Sequence, residues 1–304
     1  MTSSHGNPLR PRLEILAKKA FITGLDVLGI NLMLRPLYAG RGVIFALHRV
    51  VQRQDETLVA GNAVTVDFLD DVLGYVRQKG WEIVGLGEAS RRLRADRTRP
   101  FACFTFDDGY RDNLTNALPV FRRHDAPMAV FVCTGYVDRA LSATVAGRQI
   151  TVWAAPYLLE EHLLRSDRID VEWGTLRGSY VLRSFEDRLH AFAQLRGFGW
   201  RDPEGFTDGV LALVRDEGTE PVRVLSEFFL SWEDARELAG AEQVEVGAHS
   251  VSHRALAQLP PQESYAEMAE SRTRLTRELR RPIDFFAYPY GGVESGAREF
   301  GFAE

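Results

Sequence analysis

Residues 101–110 read F-A-C-F-T-F-D-D-G-Y, an apolar run of strand length that ends in two adjacent aspartates and a glycine. Residues 244–253 read V-E-V-G-A-H-S-V-S-H, a second apolar run, ending in two histidines four positions apart. Working outward, Val43–Leu47, Glu82–Leu86, Met128–Cys133, Gln243–Ala248 and Ile283–Tyr288 are also runs of strand length. Phe68, Leu69, Val72, Leu73 and Val76 recur at three and four, so Val66–Lys79 reads as a helix. A further helix is expected to begin near Asp112. Strands separated by helices and joined by short turns imply parallel pairing with crossover helices, hence an α/β sheet or barrel.

The rhythm breaks over Val137 to Leu230, a region holding Trp153, Trp173 and Trp200, a helix-like run at Tyr157–Leu164 and glycine-containing loops. It reads as a long insertion, either a cap over the site or an extra subdomain with no substrate role. Upstream, Leu13–Leu34 is apolar but interrupted by Glu14, Lys18, Lys19 and Asp26, too broken for a membrane span. It reads as an amphipathic helix, packed on the domain or lying on a membrane surface with the help of Lys18, Lys19 and Arg35. The expected organisation is an N-terminal helical segment over 1–41 and one α/β domain over 42–304, with its insertion at 137–230. The N-terminus lacks the basic, apolar, small-residue plan of a secretory signal, so a cytoplasmic or membrane-peripheral protein is expected.

With 37 basic and 42 acidic residues the net charge is -5, which argues against a nucleic-acid partner. An anionic polymer is a poor candidate ligand on the same ground, unless a local patch overrides the total. Cys103 and Cys133 each lie inside an apolar run, as buried reduced thiols do, and are not spaced as metal ligands.

Ligands of parallel α/β folds gather beyond the carboxyl ends of the strands, where both polar groups stand. Gly109 permits a sharp turn, so Asp107 and Asp108 can both project into such a mouth. Adjacent side chains point in different directions, so one carboxylate can bind metal while the other faces substrate. The same dipeptide could instead cap the next helix. The histidine spacing, if helical, sets both imidazoles on one face, one turn apart, as a shared metal ion requires. Two histidines and one carboxylate leave a coordination position open, the pattern of a catalytic ion. Ser250 and Ser252 read as helix-start and supporting groups.

T-F-D-D-G-Y at 105–110 and H-S-V-S-H at 249–253 resemble the first two motifs of the polysaccharide deacetylase family, also called the NodB homology domain or carbohydrate esterase family 4. A-L-P-V-F at 117–121 and P-M-A-V-F-V at 127–132 resemble the helix and strand after the first motif, and F-A-Y-P-Y-G at 286–291 resembles the third. The likeness runs from Gly42 to the end of the chain, interrupted by the insertion. It implies a distorted (β/α)7-type barrel and a metal-dependent hydrolase that removes N-acetyl groups from an amino sugar in a polysaccharide, oligosaccharide or glycolipid. By this resemblance Asp107 is the general base, and Asp108, His249 and His253 hold a divalent metal, zinc first, with cobalt, nickel or iron as alternatives. The backbone N–H of Tyr110 is the implied oxyanion donor, and Pro289 and Tyr290 the implied wall of the acetyl pocket.

Two departures stand out. The family's third motif has an arginine two residues before its proline, orienting the catalytic aspartate; that position is Ala287 here. The C-terminal L-x-H motif, whose histidine is the general acid, does not occur between the third motif and Glu304. Instead F-A-L-H-R-V at 45–50 ends an apolar strand in His48. This is similar to poly-N-acetylglucosamine deacetylases, in which that motif moves to the N-terminus by circular permutation. His48 is therefore the expected general acid; the alternative is a histidine that merely ends a strand. Two further readings stay open: a magnesium-dependent phosphoryl-transfer hydrolase, which leaves the histidines idle, and a non-catalytic carbohydrate-binding relative, which Ala287 favours.

Overall fold

All six side chains of F-A-C-F-T-F are buried, because this strand runs through the middle of a parallel sheet. The computed structural model describes residues 40–59, 62–95, 98–216, 218 and 220–290. The helix expected at Leu13–Leu34 lies outside these residues. In chain order the strands are β1 (Gly42–Leu47), β2 (Arg49–Val51), β3 (Ala63–Thr65), β4 (Glu82–Ile83), β5 (Phe101–Phe106), β6 (Met128–Val132), β7 (Ser142–Val145), β8 (Arg148–Thr151), β9 (Arg168–Trp173), β10 (Leu176–Val181) and β11 (Val244–Ala248). The central sheet has the order β1-β5-β6-β11, with β4 also paired to β5, and every pairing in it is parallel.

Register sets the strand ends together. Leu47 pairs with Phe106, and Asp107 N–H donates to Leu47 O at 2.9 Å. Ala248 pairs with Val132, and His249 N–H donates to Val132 O at 3.0 Å. The chain segments carrying His48, Asp107 and His249 therefore leave the sheet at one edge. This is the expected α/β architecture, and the parallel order of the described strands is compatible with a barrel.

Two sequence expectations need correction. Glu82–Leu86 is a strand only at Glu82–Ile83, because Leu86 opens a helix over Leu86–Arg94. Its free N–H groups at Leu86 and Gly87 donate to the Glu245 carboxylate, which suits the positive end of a helix. Ile283–Tyr288 is reduced to a single bridge between Phe286 and Ala248. Pro289 has no N–H with which to extend that ladder. The helix expected near Asp112 is present: Arg111 and Asp112 are helical, a π turn follows at Asn113–Ala117 and Leu118–Arg123 is α-helical, while the Asp112 carboxylate accepts from Val50 N–H at 3.0 Å.

The helix Val66–Gln78 forms as its periodicity predicts. Thr65 Oγ1 accepts from Phe68 N–H, and Leu69, Leu73 and Val76 pack in the cluster that holds Phe104, Phe106 and Phe121. The region expected as an insertion builds a second core. Hairpins β7–β8 and β9–β10 precede or flank the helices Ala155–Arg165, Phe185–Gly199, Pro203–Asp216 and Pro221–Phe228. Leu158, Leu159, Trp173, Phe192, Leu195 and Phe206 fill it, and Tyr110 and Tyr136 join the same cluster. Phe229 stacks on Tyr110 at 5.2 Å and on Tyr136 at 4.3 Å, which seats this second core directly on the aspartate turn.

Among the described residues no helix is long and apolar enough to cross a membrane. Cys103 and Cys133 are buried free thiols, as expected, and burial pushes Cys103 up to about 12.

Candidate metal centre and active site

The aspartate turn is built by two consecutive residues in the left-handed region, Asp108 at φ 75° and Gly109 at φ 78°. A side chain at Gly109 would also crowd Val132, whose Cγ1 lies 3.3 Å from the site of a Cβ. Left-handed backbone is costly for aspartate, and such strain persists only where neighbours hold it. Here Leu230 N–H donates to Gly109 O at 3.1 Å, tying the turn to the end of the second core. The result is an Asp108 side chain buried to 2% exposure, next to an Asp107 that keeps partial access.

The segment carrying the histidines is a loop, not the helical turn expected from their spacing. Ser250 and His253 have φ of 65° and 58°, which a helix does not allow. Main-chain groups of the loop find partners outside it. Ser250 O accepts from Thr134 N–H and Val251 O from Gly135 N–H. The latter approach requires glycine, since a Cβ at 135 would stand 2.4 Å from Val251 O. Val251 N–H and Ser252 N–H both donate to Glu267 Oε2, at 2.8 and 2.9 Å, and Ser252 hydroxyl donates to Oε1. Ser250 Oγ accepts from His253 N–H, closing the turn that brings the second imidazole back.

Both imidazoles face Asp108. Oδ1 lies 3.3 Å from His249 Nε2 and 2.8 Å from His253 Nε2, and the ligand atoms of the three residues all fall within 4.8 Å of one another. Each Nδ1 is engaged on the far side: His249 with Ala287 O at 2.9 Å, His253 with Tyr290 hydroxyl at 3.1 Å. A proton held at Nδ1 by Ala287 O leaves Nε2 as a lone pair, the tautomer a metal ligand needs. Asp108 Oδ1 is buried and accepts no well-formed hydrogen bond. Such an orphaned anion between two ring nitrogens is what a cation would satisfy, so the donor set fits a divalent ion.

Electrostatics separates the two aspartates. Burial lifts Asp107, against the pull of His249 and His48, so its proton affinity exceeds that of an ordinary carboxylate. Burial also opposes ionisation of Asp108, but His253 and His249 outweigh it and hold that carboxyl well below the usual range. One aspartate is thus a committed anion and the other a base raised in strength.

These groups line a cavity of about 410 Å³ shared by His48, Asp107, Asp108, His249, His253, Arg196 and several aromatics, among them Trp153, Tyr157, Tyr288 and Tyr290. His48 is thereby brought to the same site as the aspartates, with Asn113 Nδ2 donating to its carbonyl at 2.8 Å. Tyr290 lines the cavity. Pro289 is buried and does not; Tyr288, on its other side, does. The Tyr110 side chain turns into the second core, its hydroxyl 2.8 Å from that of Tyr157, leaving only its main chain beside the turn.

Sequence reasoning misses several supporting residues. Arg49, next to His48, pairs with Asp112 at 3.1 Å and approaches Glu160 at 3.6 Å, joining the His48 strand to the aspartate motif and to the second core. Glu267 sits among Ser264, Ser271 and Leu275 on the buried face of the helix Pro261–Leu279. A glutamate on a stripe where periodicity calls for apolar residues is the one signal that could have revealed it. Arg196 comes from the helix Phe185–Gly199, with nothing in the local sequence to mark it.

Residues 94–161 and 202–300, more than half of the chain, match the family profile described as polysaccharide deacetylase. The chain belongs to the polysaccharide deacetylase family. Within this deacetylase, residues 162–201 fall between the two matched stretches, a narrower interruption than the region from Val137 to Leu230. Similar solved structures include the Streptococcus pyogenes deacetylase PplD in complex with acetate (16% identity, 84% of this chain and 79% of that one, TM-score 0.47). IcaB from Ammonifex degensii is similar at 19% identity, covering 84% of this chain and 77% of that one, TM-score 0.47. A de-N-acetylase from Aggregatibacter actinomycetemcomitans is similar at 13% identity, covering 83% and 80%, TM-score 0.47. No curated protein matches the chain.

Proposed function

We propose that this deacetylase hydrolyses the acetamide of an N-acetylated amino sugar within a polysaccharide, oligosaccharide or glycolipid, with Asp107 as base and His48 as acid. The observation that carries the reading is the meeting of a buried Asp108–His249–His253 cluster with Asp107 and His48 in one cavity. Asp108, His249 and His253 would hold a divalent ion, which when bound supplies Lewis acidity to a water and to the acetamide oxygen. Nitrogen and carboxylate donors suit zinc first, and cobalt, nickel or iron as well.

The chain's own groups account for the proton movements. Asp107, raised in strength by burial, accepts the proton of the attacking water as its oxygen bonds to the acetamide carbon. The Tyr110 N–H, just past the strained turn, donates to the carbonyl oxygen as it gains charge. His48, protonated, delivers a proton to the amide nitrogen as the C–N bond breaks, giving acetate and a free amine. Acid and base then sit on neighbouring strand ends, β1 and β5, whose parallel pairing fixes their separation. The apolar segment at Leu13–Leu34, with Lys18, Lys19 and Arg35, would let the enzyme work at a membrane surface.

The deciding experiment measures bound metal and acetate release from N-acetylglucosamine oligomers. Asp107→Asn should keep its metal and lose at least about 10² in rate; His253→Ala should lose both. A fully active Asp107→Asn sinks the assignment. Ala287, in the place of the family's arginine, supports a second reading as a non-catalytic carbohydrate-binding relative; metal bound without acetate release from any acetylated sugar would favour it.

A further inference from the structure

Arg196 occupies the wall of the cavity that holds Asp107, Asp108, His48, His249 and His253. It lies within residues 162–201, between the stretches that match the family, so the shared framework does not supply it. Its Nε is buried and has no hydrogen-bond partner, and no carboxylate among the described residues pairs with it. By contrast Arg49 has Asp112 and Glu160, and Arg188, on the same helix as Arg196, has the carbonyls of Leu163 and Ser166; Arg139 shares an unpartnered Nε but does not line the cavity. A guanidinium cannot shed its charge, and an unpaired buried donor is costly until something accepts from it.

Asp107 is not that acceptor, since the charges that bear on it most are His249, His48, Asp108 and His253. Asp108 is enclosed by the two imidazoles. What Arg196 does touch is an aromatic wall. Its Cζ stands 5.9 Å from the Trp200 ring centre, and Trp200 meets Trp153 at 5.8 Å and Tyr290 at 4.9 Å. Trp153 and Tyr290 line both this cavity and an adjoining one of about 510 Å³. Asp202, Glu204 and Glu263 line the adjoining cavity together with Arg148, Arg201 and Arg254, so its charges balance, whereas Arg196 is the one arginine among the described residues that line the cavity of Asp107 and His48. Rings of this kind present flat faces to a sugar, while a guanidinium recognises carboxylate or phosphate with paired donors.

We propose that Arg196, backed by Trp200, selects substrates in which the acetylated amino sugar carries or adjoins an anionic group, a carboxylate or a phosphate. The proposal rests on the deacetylase reading and names the substrate class of that site. The net charge of -5 disfavours an anionic polymer in general, and this unpaired arginine is the local exception.

The test compares three probes on the metal-loaded full chain: N,N′-diacetylchitobiose, an N-acetylglucosaminyl-glucuronic acid disaccharide, and N-acetylglucosamine 1-phosphate. The wild type should favour at least one anionic probe over the neutral one by about tenfold or more in kcat/KM, mainly through KM, and the two anionic arms separate carboxylate from phosphate. Arg196→Gln should cut that ratio by about tenfold, and Arg196→Lys should keep part of it. A wild-type ratio at or below one overturns the proposal without any variant, and so does a ratio unchanged in Arg196→Gln. Turnover of chitobiose with no anionic preference would sink this inference and leave the deacetylase reading standing. If no probe is hydrolysed, calorimetric titration of the two disaccharides decides: tighter wild-type binding of the acidic one, lost in Arg196→Gln, supports the role, and equal affinities refute it.

Discussion

His249 Nδ1 lies 2.9 Å from the carbonyl oxygen of Ala287, so the third motif holds the second through its main chain. Ala248 N–H donates to Phe285 O and Ala287 N–H to Ala248 O, which locks that carbonyl in position. The side chain at 287 takes no part in this contact. Residue 287 therefore bears on His249 through its main chain, and the neighbours that most oppose the lift that burial gives Asp107 are His249 and His48.

The His253 imidazole is oriented by a side chain instead. Tyr290 hydroxyl stands 3.1 Å from His253 Nδ1. Tyr290→Phe should weaken metal affinity by about tenfold or more, read by competition with a chelator, because loss of an outer hydrogen bond frees the ring and its tautomer. Unchanged affinity would remove Tyr290 from the metal's support.

For His48, alanine should lower the rate of acetate release by about 10²–10⁴ and leave metal content untouched. Wild-type turnover in this variant would reduce His48 to a histidine that ends a strand.

Glu267 anchors the histidine loop by accepting from two main-chain N–H groups and the Ser252 hydroxyl. Glu267→Ala strands these buried donors and should cost about 3 kcal/mol or more in unfolding free energy. Because the loop then loses its left-handed turns, metal affinity should fall as well, and Glu267→Gln should recover part of both. A destabilised variant with full metal affinity would show that the loop holds its shape without Glu267.

Burial lifts Asp112 from 3.8 to about 6, in spite of its contact with Arg49. The folded chain thus binds a proton there more tightly than the unfolded chain does. Stability from this group is present below about pH 4 and declines as pH rises through about 6, by roughly 3 kcal/mol in all. Asp112→Asn lacks that decline. Its stability relative to wild type should improve between about pH 4 and pH 7, measured by denaturant unfolding at several pH values. A gap that stays constant or moves the other way would refute the shift.

Much of the architecture was legible because its signals are local. The helix Val66–Gln78 announces itself by period, β5 and β6 by unbroken apolar runs, and the Asp108, His249 and His253 cluster by its place just past β5 and β11. The histidine spacing misled in one respect, since a four-residue interval fits a helix or a closed loop equally well. Distant partners chose between them: Glu267, Thr134 and Gly135 satisfy the loop's main chain in a form no helix could take.

By itself, then, the sequence determined which residue types stand at the ends of the parallel strands, because periodicity and turn chemistry are written in neighbouring positions. Only the tertiary structure decided that β1 pairs with β5 and sets His48 beside Asp107, that Glu267 shapes the ligand loop, and that Arg196 reaches the cavity. Those outcomes depend on which elements pack together across the fold, and burial then assigns each charge the partner, or the vacancy, it must live with.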